Sequence, residues 1–276
     1  MSASGVSRRQ WLRSAFGLAA AAALPAAGAP GERLSFANPE GGYRFLPGNP
    51  VFAAGAVAEP GHAFVRAWLR RWLPLEAGFD AIRRHLLAED RPLRALAGIE
   101  LRMPRQLSQE EFAEFNHPYV ERLRDWDLLI EGFNPVSRTN VVPAAFEPEA
   151  PSLHAFCYSV PLAGAARGFV MSGMTEAGPS GVVAGGDVSG EGMRRKLTQV
   201  LTLVTRRLEE LGVGWADATH IDIYSAHDFG NALGVLMEPA LGAALRRGIR
   251  HHHGRPPVVG LEVELEARAL AREIML

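Results

Sequence analysis

The stretch Arg138-Thr139-Asn140-Val141-Val142 returns as Arg255-Pro256-Pro257-Val258-Val259, an interval of 117 residues. Two further landmarks keep that spacing. Phe112 in EEFAEFN meets Phe229 in AHDFGNA at 117, and Gly55 in VFAAGAV meets Gly173 in FVMSGMT at 118. Three landmarks at one interval predict a duplicated unit of about 120 residues, and a duplication decides architecture before any local propensity does. The repeated feature is chemical as well, since each copy sets one guanidinium at the mouth of a β-branched run.

Between the landmarks the same order of elements recurs. Leu75, Phe79, Ile82 and Leu86 keep helical spacing, as do Met193, Leu197, Val200, Leu201, Val204, Leu208 and Leu211 in the second copy. GIELRM and HIDIYS then alternate apolar and polar residues as half-buried strands do. The next helix of the first copy opens at Ser108 with Glu111 three residues on, a capping box that turns Phe112, Phe115 and Tyr119 inward. Its counterpart carries Leu233, Leu236, Met237, Leu241 and Leu245. Each unit reads strand, strand, helix, strand, helix, strand, strand. This is an α+β layer with helices on one face of a mixed sheet, and the units run over residues 41–163 and 164–276. The uncovered sheet face needs a second sheet, so association of these units is expected. The Gly- and Pro-rich stretches 143–151 and 178–192 read as turns or mobile loops, the second with the length of a lid.

Composition narrows the function. Twenty-nine basic and 30 acidic residues in mixed order give a net charge of -1, which creates no field to hold DNA, RNA or an anionic membrane. The single cysteine, Cys157 in LHAFCYSV, permits no internal disulfide and no Cys-rich zinc site, and its apolar surroundings read as core. Residues 1–29 differ from the rest. Arg8 and Arg9 precede an Ala-rich run that ends in Ala27-Gly28-Ala29, the pattern of a twin-arginine export signal with a small-residue cleavage site. A periplasmic mature protein is expected if this signal works, and a cytoplasmic one if it does not.

The stretches FVMSGMTE, TQVLTLVTRRLEELGVGWADATHIDIYSAHDF and GRPPVVGLEVELEA, with VFAAG, LEAGFDAIRRHL, LAGIELRM, FAEFNHPYVERL and SRTNVVP in the first copy, resemble the reactive-intermediate deaminase (Rid or YjgF) superfamily. The resemblance covers nearly everything after residue 40. GFNPVSRTNVVP, PSLHAFCYSVP, GWADAT and RPPVVGLEVE are similar to its tandem-domain branch typified by 2-amino-5-chloromuconate deaminase. The resemblance implies two tandem YjgF/chorismate-mutase-like domains of order ββαβαββ, a homotrimer, and sites in clefts between neighbouring domains. It implies Arg138 as the grip on a substrate carboxylate, with Asn140 lining the pocket where many members carry cysteine. It places Tyr43 on the first strand, the backbone of Gly55 and of Ser172 and Gly173 at the site, and Glu266 where a glutamate orients water. On the matching strand of the first copy it finds Phe156, with His154 two residues earlier. The first copy thus keeps arginine and tyrosine without the glutamate, and the second keeps Arg255 and Glu266. A complete site can be assembled across a boundary from Arg138 of one copy and Glu266 of another.

The residue chemistry agrees with that reading. A guanidinium offers a fixed fork of donors matching a carboxylate and stays charged when partly buried. Hydrolysis of an enamine through its imine requires a held carboxylate, a placed water and a proton shuttle, with no covalent nucleophile, metal or other cofactor. Glu266 is the shuttle candidate, with Glu264 and His154 beside it, and backbone donors at Ser172 and Gly173 are available for developing charge. A muconate-type substrate carries two carboxylates, for which Arg44 and Arg255 are second cations. The expected partner is therefore a small anionic (di)carboxylate and the expected activity is deamination of a 2-aminomuconate-like amino-dienoate to the keto acid and ammonia. A chorismatase-like hydrolase of a dicarboxylate and a non-catalytic ligand-binding protein are the alternatives. Histidines 251–253 read as a solvated turn, because three consecutive side chains cannot converge on one ion.

Overall fold

Four layers run through the molecule: helices, sheet, sheet, helices. The computed structural model describes residues 35–178 and 180–276, so the expected export segment 1–29 lies outside the described residues. The first half contributes β1 (Phe36–Asn38), β2 (Tyr43–Pro47), β3 (Ala53–Ala58), β4 (His62–Pro74), α1 (Leu75–Ala88), β5 (Leu96–Arg102), α2 (Gln109–Asp125), β6 (Ser137–Pro143) and β7 (Ser152–Pro161). The second contributes β8 (Phe169–Met171), β9 (Met174–Thr175), β10 (Ala177–Gly178), β11 (Gly181–Val182), α3 (Gly190–Glu210), β12 (His220–Tyr224), α4 (Ala232–Leu241), β13 (Arg250–His252), β14 (Gly254–Arg255), β15 (Glu264–Ala269) and β16 (Arg272–Met275). The fold is α+β with mixed sheets, as the pattern predicts.

Strand pairing crosses between the halves. One sheet runs β1-β2-β3-β8-β15-β12-β13, with β9 on the flank of β15, so the first three strands of the chain join strands from beyond residue 168. The other runs β14-β6-β5-β7-β4-β16 and takes both its edge strands from the second half. Parallel pairs (β12 with β13, β5 with β6, β4 with β16) sit among antiparallel ones.

The helices form where periodicity and capping demand them. Phe79, Ile82 and Leu86 make the buried stripe of α1, and Met193, Leu197, Val200, Leu201, Val204 and Leu208 make that of α3. Ser108 Oγ accepts from the Glu111 N–H at 3.1 Å while the Glu111 carboxylate accepts from the Ser108 N–H at 2.8 Å, so α2 starts on a complete capping box. Helices α1 and α2 cover the outer face of one sheet and α3 and α4 that of the other. The stretch read as a loop or lid, 178–192, takes in the end of β10, its hairpin partner β11 and the Ser189 cap of α3.

The inner sheet faces pack on each other. Tyr43, Phe45, Ala56 and Val170 of one meet Phe64, Ala97 and Cys157 of the other. Burial pushes the Cys157 thiol up to about 12, which leaves it un-ionised. Beside this apolar patch lies a buried ion network. Arg66 Nε donates to Glu100 at 2.6 Å, and Arg268 reaches Glu100 at 3.1 Å, Asp222 at 3.2 Å, and also Glu266. Charges this deep persist only when every one has a partner, and each member has at least one.

Candidate active site

Strand β6 divides its side chains between two environments. Ser137 and Thr139 face the opposite sheet, where Thr139 Oγ1 donates to Glu266. Arg138 and Asn140 point the other way, toward α2, because successive residues of a strand alternate faces. The capped helix then builds an aromatic cage. The Arg138 guanidinium carbon lies 4.6 Å from the Tyr119 ring centroid, 5.6 Å from Phe112 and 5.9 Å from Phe115, with Phe52 at 5.3 Å.

These residues lead into a cavity of about 560 Å³ at the seam between the halves. Arg138 and Asn140, each 4% exposed, lie on its wall. Both terminal nitrogens of Arg138 and both polar atoms of the Asn140 amide lack any hydrogen-bond partner in the protein. Buried polar atoms are rarely left so, and four together mark a place built for a ligand. Burial pulls the Arg138 guanidinium down to about 10, which still leaves it cationic at neutral pH.

Glu264 supplies the cavity's acid. It is buried, and burial followed by the like charge of Glu266 drives its carboxyl well above the ordinary 4.5, against the pull of Arg102 and Arg138. Gly173 makes room for it, since a Cβ at that position would stand 1.9 Å from Glu264 Oε1. Ser172 ties this bend to the arginine strand: its hydroxyl donates to Ala53 O at 2.6 Å and accepts from the Arg138 N–H at 2.9 Å. The backbone donors expected to steady developing charge are engaged, Ser172 N with Ala54 O and Gly173 N with Arg138 O, each at 3.2 Å. The segment that delivers Glu264 is held by Glu176, which accepts from the N–H groups of Glu262 and Val263 at 2.7 and 3.2 Å and pairs with buried Lys196 at 3.4 Å.

Arg138, Asn140, Ser172 and Gly173 thus come together as the sequence proposes, and the other candidates lie elsewhere. Glu266 belongs to the ion network between the sheets, bonded to Thr139, Arg268 and the Tyr224 hydroxyl at 2.7 Å. The hydroxyl of Tyr43 donates to Leu96 O at 2.6 Å inside the core. His154 accepts from Trp72 Nε1 at 3.1 Å, and burial with Arg102 beside it holds its imidazole down at about 2, uncharged. Phe156 packs in the core under α1, and Gly55 lies where a Cβ would meet Leu211 at 2.7 Å. Arg44 bonds Ser35 and faces Glu59 at 3.8 Å on a separate groove. Arg255 is half exposed, 3.4 Å from Glu262 and from His227. Of the histidines 251–253, His252 bonds Asp222 at 2.7 Å and His253 bonds Ala226 O at 3.2 Å. No group of three or more His, Cys, Asp or Glu able to hold a metal ion occurs among the described residues. No described helix is long and apolar enough to cross a membrane.

The sequence reading missed several cavity residues. Phe52, Gln109, Phe133 and Arg207 line the wall, and Arg207 pairs with Glu210 at 3.1 Å. They come from a turn, a helix start, a loop and an exposed-looking helix face, where no spacing announces a shared cavity. Glu264 was legible only as one of two glutamates on a single strand face.

The 2-aminomuconate deaminase CnbZ family model matches residues 35–274. The chain is 39% identical over 245 residues to 2-amino-5-chloromuconate deaminase of Comamonas testosteroni, covering 86% of this chain and 96% of that protein. Among solved structures it is similar to a chorismatase at 14% identity and a TM-score of 0.40, over 78% of this chain and 77% of that one. A YjgF/YER057c/UK114 family member from Mycobacterium tuberculosis matches at 22% identity and a TM-score of 0.27, over 38% and 79%. On the strength of the family match and the curated relative, the chain belongs to the 2-aminomuconate deaminase family.

Proposed function

We propose that the protein deaminates a 2-amino-dienoate of the aminomuconate type, releasing ammonia and the keto acid. The observation that carries this reading is the pair of unpartnered Arg138 nitrogens, caged by aromatic rings and facing the same cavity as Glu264, whose carboxyl burial drives upward. Arg138 takes the substrate's C1 carboxylate as a two-pronged pair. The dienamine stacks its flat body among Phe52, Phe112 and Phe133, and Arg207 on the same wall meets its second carboxylate.

The proton traffic then runs through Glu264. The neutral acid protonates a carbon of the dienamine, which shifts the electron pair and leaves an iminium cation at C2 beside the Glu264 carboxylate. The resulting carboxylate takes a proton from a water as its oxygen bonds C2, hands that proton to the carbinolamine nitrogen, and takes the hydroxyl proton as the C–N bond breaks and ammonia leaves, which restores the acid. A carboxyl group whose pKa is raised by burial suits both halves of this exchange, because its acid form is favoured over that of an exposed carboxyl and its base form recovers the proton readily. In this reading the protein assembles as a homotrimer, and the segment 1–29 directs its export.

The test is ammonia release from freshly generated 2-aminomuconate by the wild type and by Arg138→Ala. Losing two charge-assisted hydrogen bonds should lower kcat/KM by about a hundredfold or more. An unimpaired Arg138→Ala enzyme, or a wild type that releases no ammonia, refutes the reading.

A further inference from the structure

Arg138 accounts for a carboxylate but not for the group beside it. Asn140 lies two residues along β6, on the same strand face and the same cavity wall, 4% exposed, with Oδ1 and Nδ2 both unpartnered. Its chemistry differs from that of arginine. A guanidinium only donates, whereas a carboxamide holds a donor and an acceptor at a fixed angle in one plane. A ligand that offered only oxygens would satisfy Nδ2 and leave Oδ1 buried without a donor, which is the costly case. The group that meets Asn140 must therefore carry an N–H or O–H next to an oxygen acceptor.

We propose that the Asn140 carboxamide reads the nitrogen of the substrate: Oδ1 accepts from the C2 amino N–H while Nδ2 donates to the carboxylate oxygen nearest it. This rests on the deaminase reading and adds to it a basis for selecting the amine. A 2-aminoenoate presents an N–H and a carboxylate oxygen side by side, and the amide closes a ring of two hydrogen bonds with them. The 2-oxo product presents only oxygens on that edge, so deamination breaks one of the two bonds and favours release. Sites that hydrogen-bond an N–H reject analogues lacking it far more strongly than apolar pockets reject a missing methylene.

Two stable planar ligands separate these cases. Pyrrole-2-carboxylate carries an N–H adjacent to its carboxylate, and furan-2-carboxylate replaces that N–H with an oxygen. Calorimetric titration of the wild-type protein should give a dissociation constant lower by about tenfold or more for the pyrrole. Asn140→Leu, similar in volume, and Asn140→Ala should bring the two constants together, while Arg138→Ala should weaken both ligands alike. Equal binding by the wild type, failure of the wild type to bind the pyrrole, or a preference that survives in both Asn140 variants overturns the inference. Affinity unchanged in Arg138→Ala instead overturns the carboxylate anchor, so the two readings fail on different measurements.

Discussion

Glu264 and Gly173 show how one atom's absence creates a functional group's environment. The glycine leaves the space that Glu264 Oε1 fills, and the enclosure raises the carboxyl far above 4.5. Two outcomes follow at this scale. Glu264→Gln keeps the shape and removes the proton, so kcat should fall by about a hundredfold or more with little change in substrate KM, measured by ammonia release. Because the folded-state pKa of Glu264 is raised, its contribution to stability is fully present below about 4.5 and is lost as pH rises toward its folded value. Melting temperatures of wild type and Glu264→Gln should therefore diverge with rising pH, the variant losing less. Gly173→Ala forces Glu264 aside and should abolish most activity while the far-ultraviolet circular dichroism stays unchanged. Arg138 was readable as a lone guanidinium before a β-branched run. Choosing Glu264 over Glu266 was not possible from the chain, since both share a strand face and only the bend at Gly173 and the reach of Arg268 separate them.

Among the elements, α2 links folding to chemistry most directly. Its capping box fixes where the helix begins, and that register decides which aromatic rings surround Arg138. Ser108→Ala should cost about 1 kcal/mol in denaturant unfolding, with a smaller effect on ammonia release than any cavity substitution. The box and the helical stripes were legible because they depend on residues three and four apart. The hairpin of β10 and β11 was not, because Gly-rich stretches announce a turn without naming the strands it joins. Strand β6 serves two masters. Thr139 locks one face into the ion network through Glu266, and this holds the opposite face, with Arg138 and Asn140, at a constant aspect to the cavity.

The helices and several strands were legible from local spacing, but the way the strands interleave was not, since pairings between residues such as Val57 and Phe169 leave no local signal. That interleaving bears on stability. A chain divided after residue 163 leaves β3 without β8 and β4 without β16, exposing two apolar strand edges. Each fragment produced alone should fail to give a cooperative thermal transition, and the two produced together should recover one, followed by circular dichroism. Strand β16 adds a constraint of timing. It lies parallel to β4, so Arg272 must reach Val65 and Met275 must reach Trp68 across some two hundred intervening residues. On the ribosome, the sheet begun at His62 therefore stays open at that edge until residue 275 has emerged, so an unpaired strand edge is presented through nearly all of synthesis.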